Sequence, residues 1–100
     1  MPRDKPYRLH PEAWLEFVAA DDWYLARSLD ASIEFLSDVN DALETVSKAP
    51  QHWPKYLHGT RRFVLHRFPF SVVYLDDPDQ VTIIAVAHSK RRPGYWKHRL

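Results

Sequence analysis

The residues Ile83-Ile84-Ala85-Val86-Ala87 form an unbroken apolar run near the end of a 100-residue chain, and His88 follows directly. A run this short, rich in β-branched residues and with no polar residue alternating, is the pattern of a strand covered on both faces. It is expected to be the central strand of a sheet. At His88 the composition changes abruptly, to Ser89, the three cations Lys90-Arg91-Arg92, a Pro93-Gly94 turn signal and the aromatics Tyr95 and Trp96. A buried strand is a rigid mount, and the segment leaving it is where binding groups are displayed. Functional chemistry is therefore expected around His88.

The other elements can be placed around this strand. Tyr7-Arg8-Leu9 can form a brief strand, and His10-Pro11 marks a helix entrance, since proline suits the first helical turn. Trp14, Phe17, Tyr24 and Leu25 recur at helical spacing and predict a first helix ending near Arg27, with those aromatics facing the core. Ile33, Leu36, Val39, Leu43 and Val46 predict a second, with Ser28 or Asp30 as its cap and Ala49-Pro50 as its stop. The short Ser28-Leu29-Asp30 link makes the two an antiparallel hairpin. Gln51 to Thr60 has no periodicity and is expected to be an ordered loop at the sheet edge.

Three strand-like runs complete the chain: Arg62–Phe68, Phe70–Leu75 and Val81–His88, separated by Pro69 and by the turn sequence Asp76-Asp77-Pro78-Asp79-Gln80. Their short connections predict an antiparallel meander. The expected fold is thus one α+β domain over residues 1–100 in the order β-α-α-β-β-β, an antiparallel sheet packed against a helical hairpin.

Composition removes several function classes. There is no cysteine, so no thiolate nucleophile, thiolate metal site or disulfide framework is available. The six histidines include no pair three or four residues apart, which argues against a metal site. Only Gly59 and Gly94 occur, so there is no glycine-rich phosphate loop and no nucleotide cofactor is expected. No nucleophile-elbow sequence is present. No apolar window approaches the roughly 18 residues of a membrane span, and no run of signal-peptide length opens the chain, which predicts a soluble cytoplasmic protein.

The net charge of +1 conceals a division. Residues 1–60 hold six Lys/Arg against ten Asp/Glu, a net of −4, whereas residues 61–100 hold eight against three, a net of +5. The C-terminal part can present a cationic surface to nucleic acid or an acidic protein, or the two halves can neutralise each other in the fold.

Distributed along the chain are His10-Pro11-Glu12-Ala13, Trp23-Tyr24, Pro50 with Trp53-Pro54, Arg61-Arg62, Phe68-Pro69-Phe70-Ser71, Tyr74, Ala85-Val86-Ala87-His88, Arg91-Arg92-Pro93 and Tyr95-Trp96. Together these resemble the RelE/ParE superfamily of toxins from type II toxin-antitoxin systems, and more closely its ParE-like branch of plasmid stabilisation proteins. The resemblance implies the β-α-α-β-β-β fold and a growth-inhibiting cytoplasmic toxin, held in a hetero-oligomer with its cognate antitoxin. For the ParE-like branch it implies DNA gyrase as the target. For RelE-like members it implies cleavage of messenger RNA on the ribosome.

Metal-independent RNA cleavage needs a group to take the 2′-hydroxyl proton, a donor for the leaving oxygen and cations around the phosphate. His88 is the proton-transfer candidate, with His66 in reserve; Arg62, Arg91 and Arg92 can supply fork-shaped phosphate contacts, and Tyr95 or Trp96 can stack on a base, so that His88, Arg62, Arg91 and Tyr95 make the candidate catalytic set. For target binding the candidates are Arg91, Arg92, Tyr95, Trp96, Arg62 and His66, the aromatics by stacking. Each has a structural alternative. A strand-end imidazole can simply hydrogen-bond to backbone, and aromatics after a Pro-Gly turn can fold back to cover the sheet. A further alternative is a non-toxic module that binds nucleic acid or protein through the same cationic strands.

Overall fold

The computed structural model describes residues 5–100. The elements are β1 (Tyr7–Leu9), α1 (Pro11–Leu25), α2 (Leu29–Lys48), β2 (Arg61–Val64), β3 (Phe70–Asp76) and β4 (Val81–His88), with short 3-10 turns at Leu57–Gly59 and Lys97–Arg99. The expected element order and helical hairpin are found. The sheet runs β1-β4-β3-β2, placing β4 in its interior. β2, β3 and β4 form the antiparallel meander, and β1 joins parallel to β4, so the whole sheet is mixed.

Local chemistry accounts for the helix ends. His10 caps α1 through Nδ1, which accepts the Glu12 N–H at 3.1 Å, and Pro11 occupies the first turn. Of the two cap candidates for α2, Ser28 is used: its hydroxyl accepts the Ala31 N–H at 3.2 Å. The helix stops at Lys48 with Ala49 as its cap, before Pro50.

The sheet is buried on both faces. On the helix face Phe35, Val39, Leu43 and Val46 of α2 pack against Val72, Tyr74, Val81 and Ile83. Phe35 is the hub, its ring 5.1 to 5.9 Å from those of Phe17, Tyr24, Phe68 and Phe70. The opposite face is covered by the tail: Trp96 is 1% exposed and packs with Val73, Ile84 and Ala85, flanked by Tyr56 and Tyr95. Gly94, at φ +81°, makes the reversal that brings these rings back.

One irregularity determines where the end of β4 points. Val73 pairs with Ala85 but Tyr74 pairs with Ile83, so Ile84 is an extra residue in the ladder. This bulge reverses the alternation. Ile83 and Val86 both lie in the helix-side core, while Ile84 and Ala85 both face the tail.

Several expectations are corrected. Trp14 lies at helical spacing but is 53% exposed, because α1 turns Ala13, Phe17 and Ala20 inward instead. Ile33 is also exposed; the inner stripe of α2 starts at Ser32 and Phe35, one turn position away. The strand expected over Arg62–Phe68 spans only Arg61–Val64. Beyond it Leu65 and Phe68 turn inward at a tight bend, with the Phe70 N–H donating to the Phe68 carbonyl at 2.8 Å.

Candidate functional site

The end of β4, the loop after it and β2 place most of the sequence candidates together. Arg62, His88, Arg91, Arg92, Tyr95 and Trp96 all line one small cleft of about 80 Å3. Tyr56, Ser71 and Ser89 line it too without having been singled out as site residues, since Tyr56 lies in an aperiodic loop and the serines, at the start of β3 and just past β4, carry no distinctive chemistry. His66 does not belong. It is exposed at the bend after β2, in a groove with Asp38, Asp41 and Arg67.

Two arginines of the cleft rest on tyrosines. The Arg62 guanidinium lies 4.2 Å from the Tyr56 ring centroid and that of Arg91 lies 3.8 Å from the Tyr95 ring centroid. Stacking of this kind restrains a long side chain while leaving the fork of N–H donors free for a carboxylate or phosphate. Neither Arg62, Arg91 nor Arg92 has a carboxylate partner among the ion pairs of the described residues, whereas Arg67 pairs with Asp38 and Arg99 with Glu16. The cleft is accordingly electropositive.

Trp96 is corrected as a stacking residue. Its burial beneath Tyr56 and His58 makes it the floor of the cleft, with ring centroids 6.1 and 6.0 Å away, and its face is not available to a partner.

His88 and the Tyr95 hydroxyl are engaged in structural hydrogen bonds. His88 Nδ1 accepts the Lys90 N–H at 3.0 Å, closing the turn that leaves β4, and the ring packs edge-on against Phe70 at 5.0 Å. With Nδ1 accepting, the neutral ring carries its hydrogen on Nε2. Tyr95 donates its hydroxyl to Glu16 Oε2. Burial first, and then this bond, push the phenol well above its usual range. The other histidines also have structural neighbours: His10 caps α1, His58 abuts Trp96, His52 lies edge-on to Trp53, and His98 Nε2 is 3.0 Å from a Glu12 oxygen.

His88 also borders a larger groove of about 510 Å3 on its other side, between α1 and the ends of β3 and β4. Ala19, Tyr24 and Phe70 make it apolar, Trp23 stands at its edge, and Arg91 borders both cavities. Trp23, which had no place in the helical stripe, is half-exposed with the Arg27 guanidinium 3.6 Å from its ring centroid. No helix among the described residues is long and apolar enough to cross a membrane.

Known proteins supply the context for this geometry. No curated protein matches the sequence. Among solved structures, a chain of the chromosomal ParDE toxin-antitoxin system from P. aeruginosa superposes with a TM-score of 0.75. That likeness covers 87% of this chain and 98% of the other at 15% identity, and it speaks to the fold. The sequence profile of the ParE toxin of the type II toxin-antitoxin system parDE matches residues 7–93, through both helices, all four strands and the arginines after His88. The chain belongs to the ParE family of type II toxins.

Proposed function

We propose that this toxin acts by binding, with DNA gyrase as its target, and that the arginine face formed by Arg62, Arg91 and Arg92 makes the attachment. The observation that carries this reading is the engagement of His88, the first proton-transfer candidate, and of the Tyr95 hydroxyl, while the reserve candidate His66 lies outside the cleft. The lone pair of His88 Nδ1 is taken by the Lys90 N–H, and the Tyr95 hydroxyl donates its hydrogen bond to Glu16. To act as an acid, His88 would have to give up the Nδ1 hydrogen bond that closes that turn. A tyrosine held protonated by burial and a carboxylate is a poor base at neutral pH. What the cleft offers instead is fork-shaped cations mounted on aromatic rings, a surface suited to binding carboxylates or phosphates.

In the cell the protein is cytoplasmic and is neutralised by a cognate antitoxin in a hetero-oligomer, its cationic half complementing an acidic partner. The test is expression without the antitoxin, followed by purification. Growth arrest together with inhibition of gyrase supercoiling supports the proposal; unimpeded growth at good soluble yield removes it.

A further inference from the structure

Resting on that reading, we propose that Glu16 of α1 is the positioning residue for Arg91, holding the target-binding guanidinium in place through Tyr95. Glu16 stands on the inward side of α1 between Ala13 and Ala20, with a side chain only 16% exposed. A carboxylate in such a position is costly unless fully paired. It is fully paired. Oε1 accepts the Val86 N–H at 3.1 Å and Arg99 Nη1 at 2.9 Å, while Oε2 accepts Arg99 Nη2 at 3.1 Å and the Tyr95 hydroxyl. Arg99 in turn donates to the Ile84 carbonyl at 3.0 Å. The pair of side chains thus satisfies backbone groups of β4 just past Ile83, where β1 stops pairing.

The link to the site is the Tyr95 ring. Gly94 precedes it at positive φ, and the loop from Ser89 to Tyr95 is otherwise held by short turn bonds such as Arg91 N–H to the His88 carbonyl at 3.0 Å and Tyr95 N–H to the Arg92 carbonyl at 3.1 Å. Those bonds fix the backbone but not the plane of the ring. The hydroxyl is the ring's only polar handle, and Glu16 holds it. Arg91 stacks on that ring, so the direction of its fork follows from a carboxylate on α1 that itself lies outside the arginine cleft.

The test compares Glu16→Gln with Arg91→Ala in two measurements. In proton NMR, the Arg91 δ-methylene resonances of the native protein are expected upfield, in the ring current of Tyr95, and Glu16→Gln should return them toward unshifted values while the amide spectrum stays folded. In gyrase supercoiling, Glu16→Gln should raise the half-inhibitory concentration about two- to fivefold, the worth of one exposed cation–π contact. Introduced into the Arg91→Ala protein, it should change nothing further, because a residue acting through Arg91 has no effect without it. An equal loss in both backgrounds, or an unmoved Arg91 resonance, overturns the assignment. If Glu16→Gln fails to fold with Arg99 unpaired, Tyr95→Phe keeps the ring and the Glu16–Arg99 pair and serves the same comparison. If Arg91→Ala leaves inhibition intact, the arginine face is wrong and this inference falls with it. If Arg91→Ala weakens inhibition and Glu16→Gln does not, only the role of Glu16 is wrong.

Discussion

Replacing Phe35 by alanine should remove a large part of the stability of this domain. Phe35 is fully buried and stands between the rings of Phe17, Tyr24, Phe68 and Phe70, so its ring joins both helices to the inturned Phe68 and to β3. A Phe-to-Ala change in a packed core costs about 3 to 5 kcal/mol, transfer and cavity together. Each aromatic pair adds about 0.5 to 1.5 kcal/mol beyond area, though these do not sum independently. With four pairs at one hub, the upper part of the range applies, about 4 to 5 kcal/mol. A domain of this size has roughly 5 to 15 kcal/mol in total, and the melting temperature should fall by about 16 to 30 °C. Urea unfolding followed by circular dichroism measures this directly: the midpoint should drop at unchanged slope. Phe35→Leu, which keeps most of the volume, should cost under about 1.5 kcal/mol. A loss below about 1.5 kcal/mol for the alanine variant would refute the hub, because it would mean that the cluster closes over the missing ring.

Alkaline pH should destabilise the protein through its buried tyrosines, chiefly Tyr74 and Tyr95, with Tyr24 also raised by burial. Burial pushes the Tyr74 phenol up to about 12, and burial and Glu16 push that of Tyr95 higher still. Both values are raised, so their contribution is fully present below the ordinary tyrosine value near 10 and is lost as pH rises through the folded values. For Tyr74 alone, about 2 to 3 kcal/mol disappears between about pH 10 and 12; ultraviolet titration should show two of the five tyrosines ionising only on unfolding. Arg91→Lys should weaken gyrase inhibition nearly as much as Arg91→Ala, since a lysine keeps the charge but loses the stacked fork; inhibition equal to the native protein would mean that charge alone is read.

The elements that the sequence disclosed are those whose signal is local. β4 was legible because a strand covered on both faces needs no alternation, and α2 because its apolar period and Pro50 leave little choice. The return of the tail onto the sheet was contained in Pro93-Gly94 followed by two aromatics, one of the two alternatives open for that segment. Other features depend on tertiary packing. Nothing in Ile83-Ile84-Ala85 announces the bulge at Ile84, because every residue there is apolar and suits either face. Trp14 and Ile33 fit a helical stripe as well as Ala13 and Phe35 do, and only the way the hairpin packs on the sheet selects the latter. The cleft follows the same division. Arg62, His88, Arg91 and Tyr95 were found from residue type and position, while Tyr56 and Glu16 came from an aperiodic loop and a helix interior and needed three-dimensional structure to connect them.

The most direct test of a toxin that binds and does not cut is to measure RNA cleavage on ribosomes and gyrase supercoiling with one preparation, native and His88→Ala. If His88 serves the turn through Lys90, the native protein inhibits supercoiling, produces no 2′,3′-cyclic phosphate ends, and His88→Ala retains inhibition within about the few-fold range of a lost turn hydrogen bond. RNA cleavage by the native protein that falls about a hundredfold or more in His88→Ala, the span of acid-base catalysis, with supercoiling untouched, would contradict it.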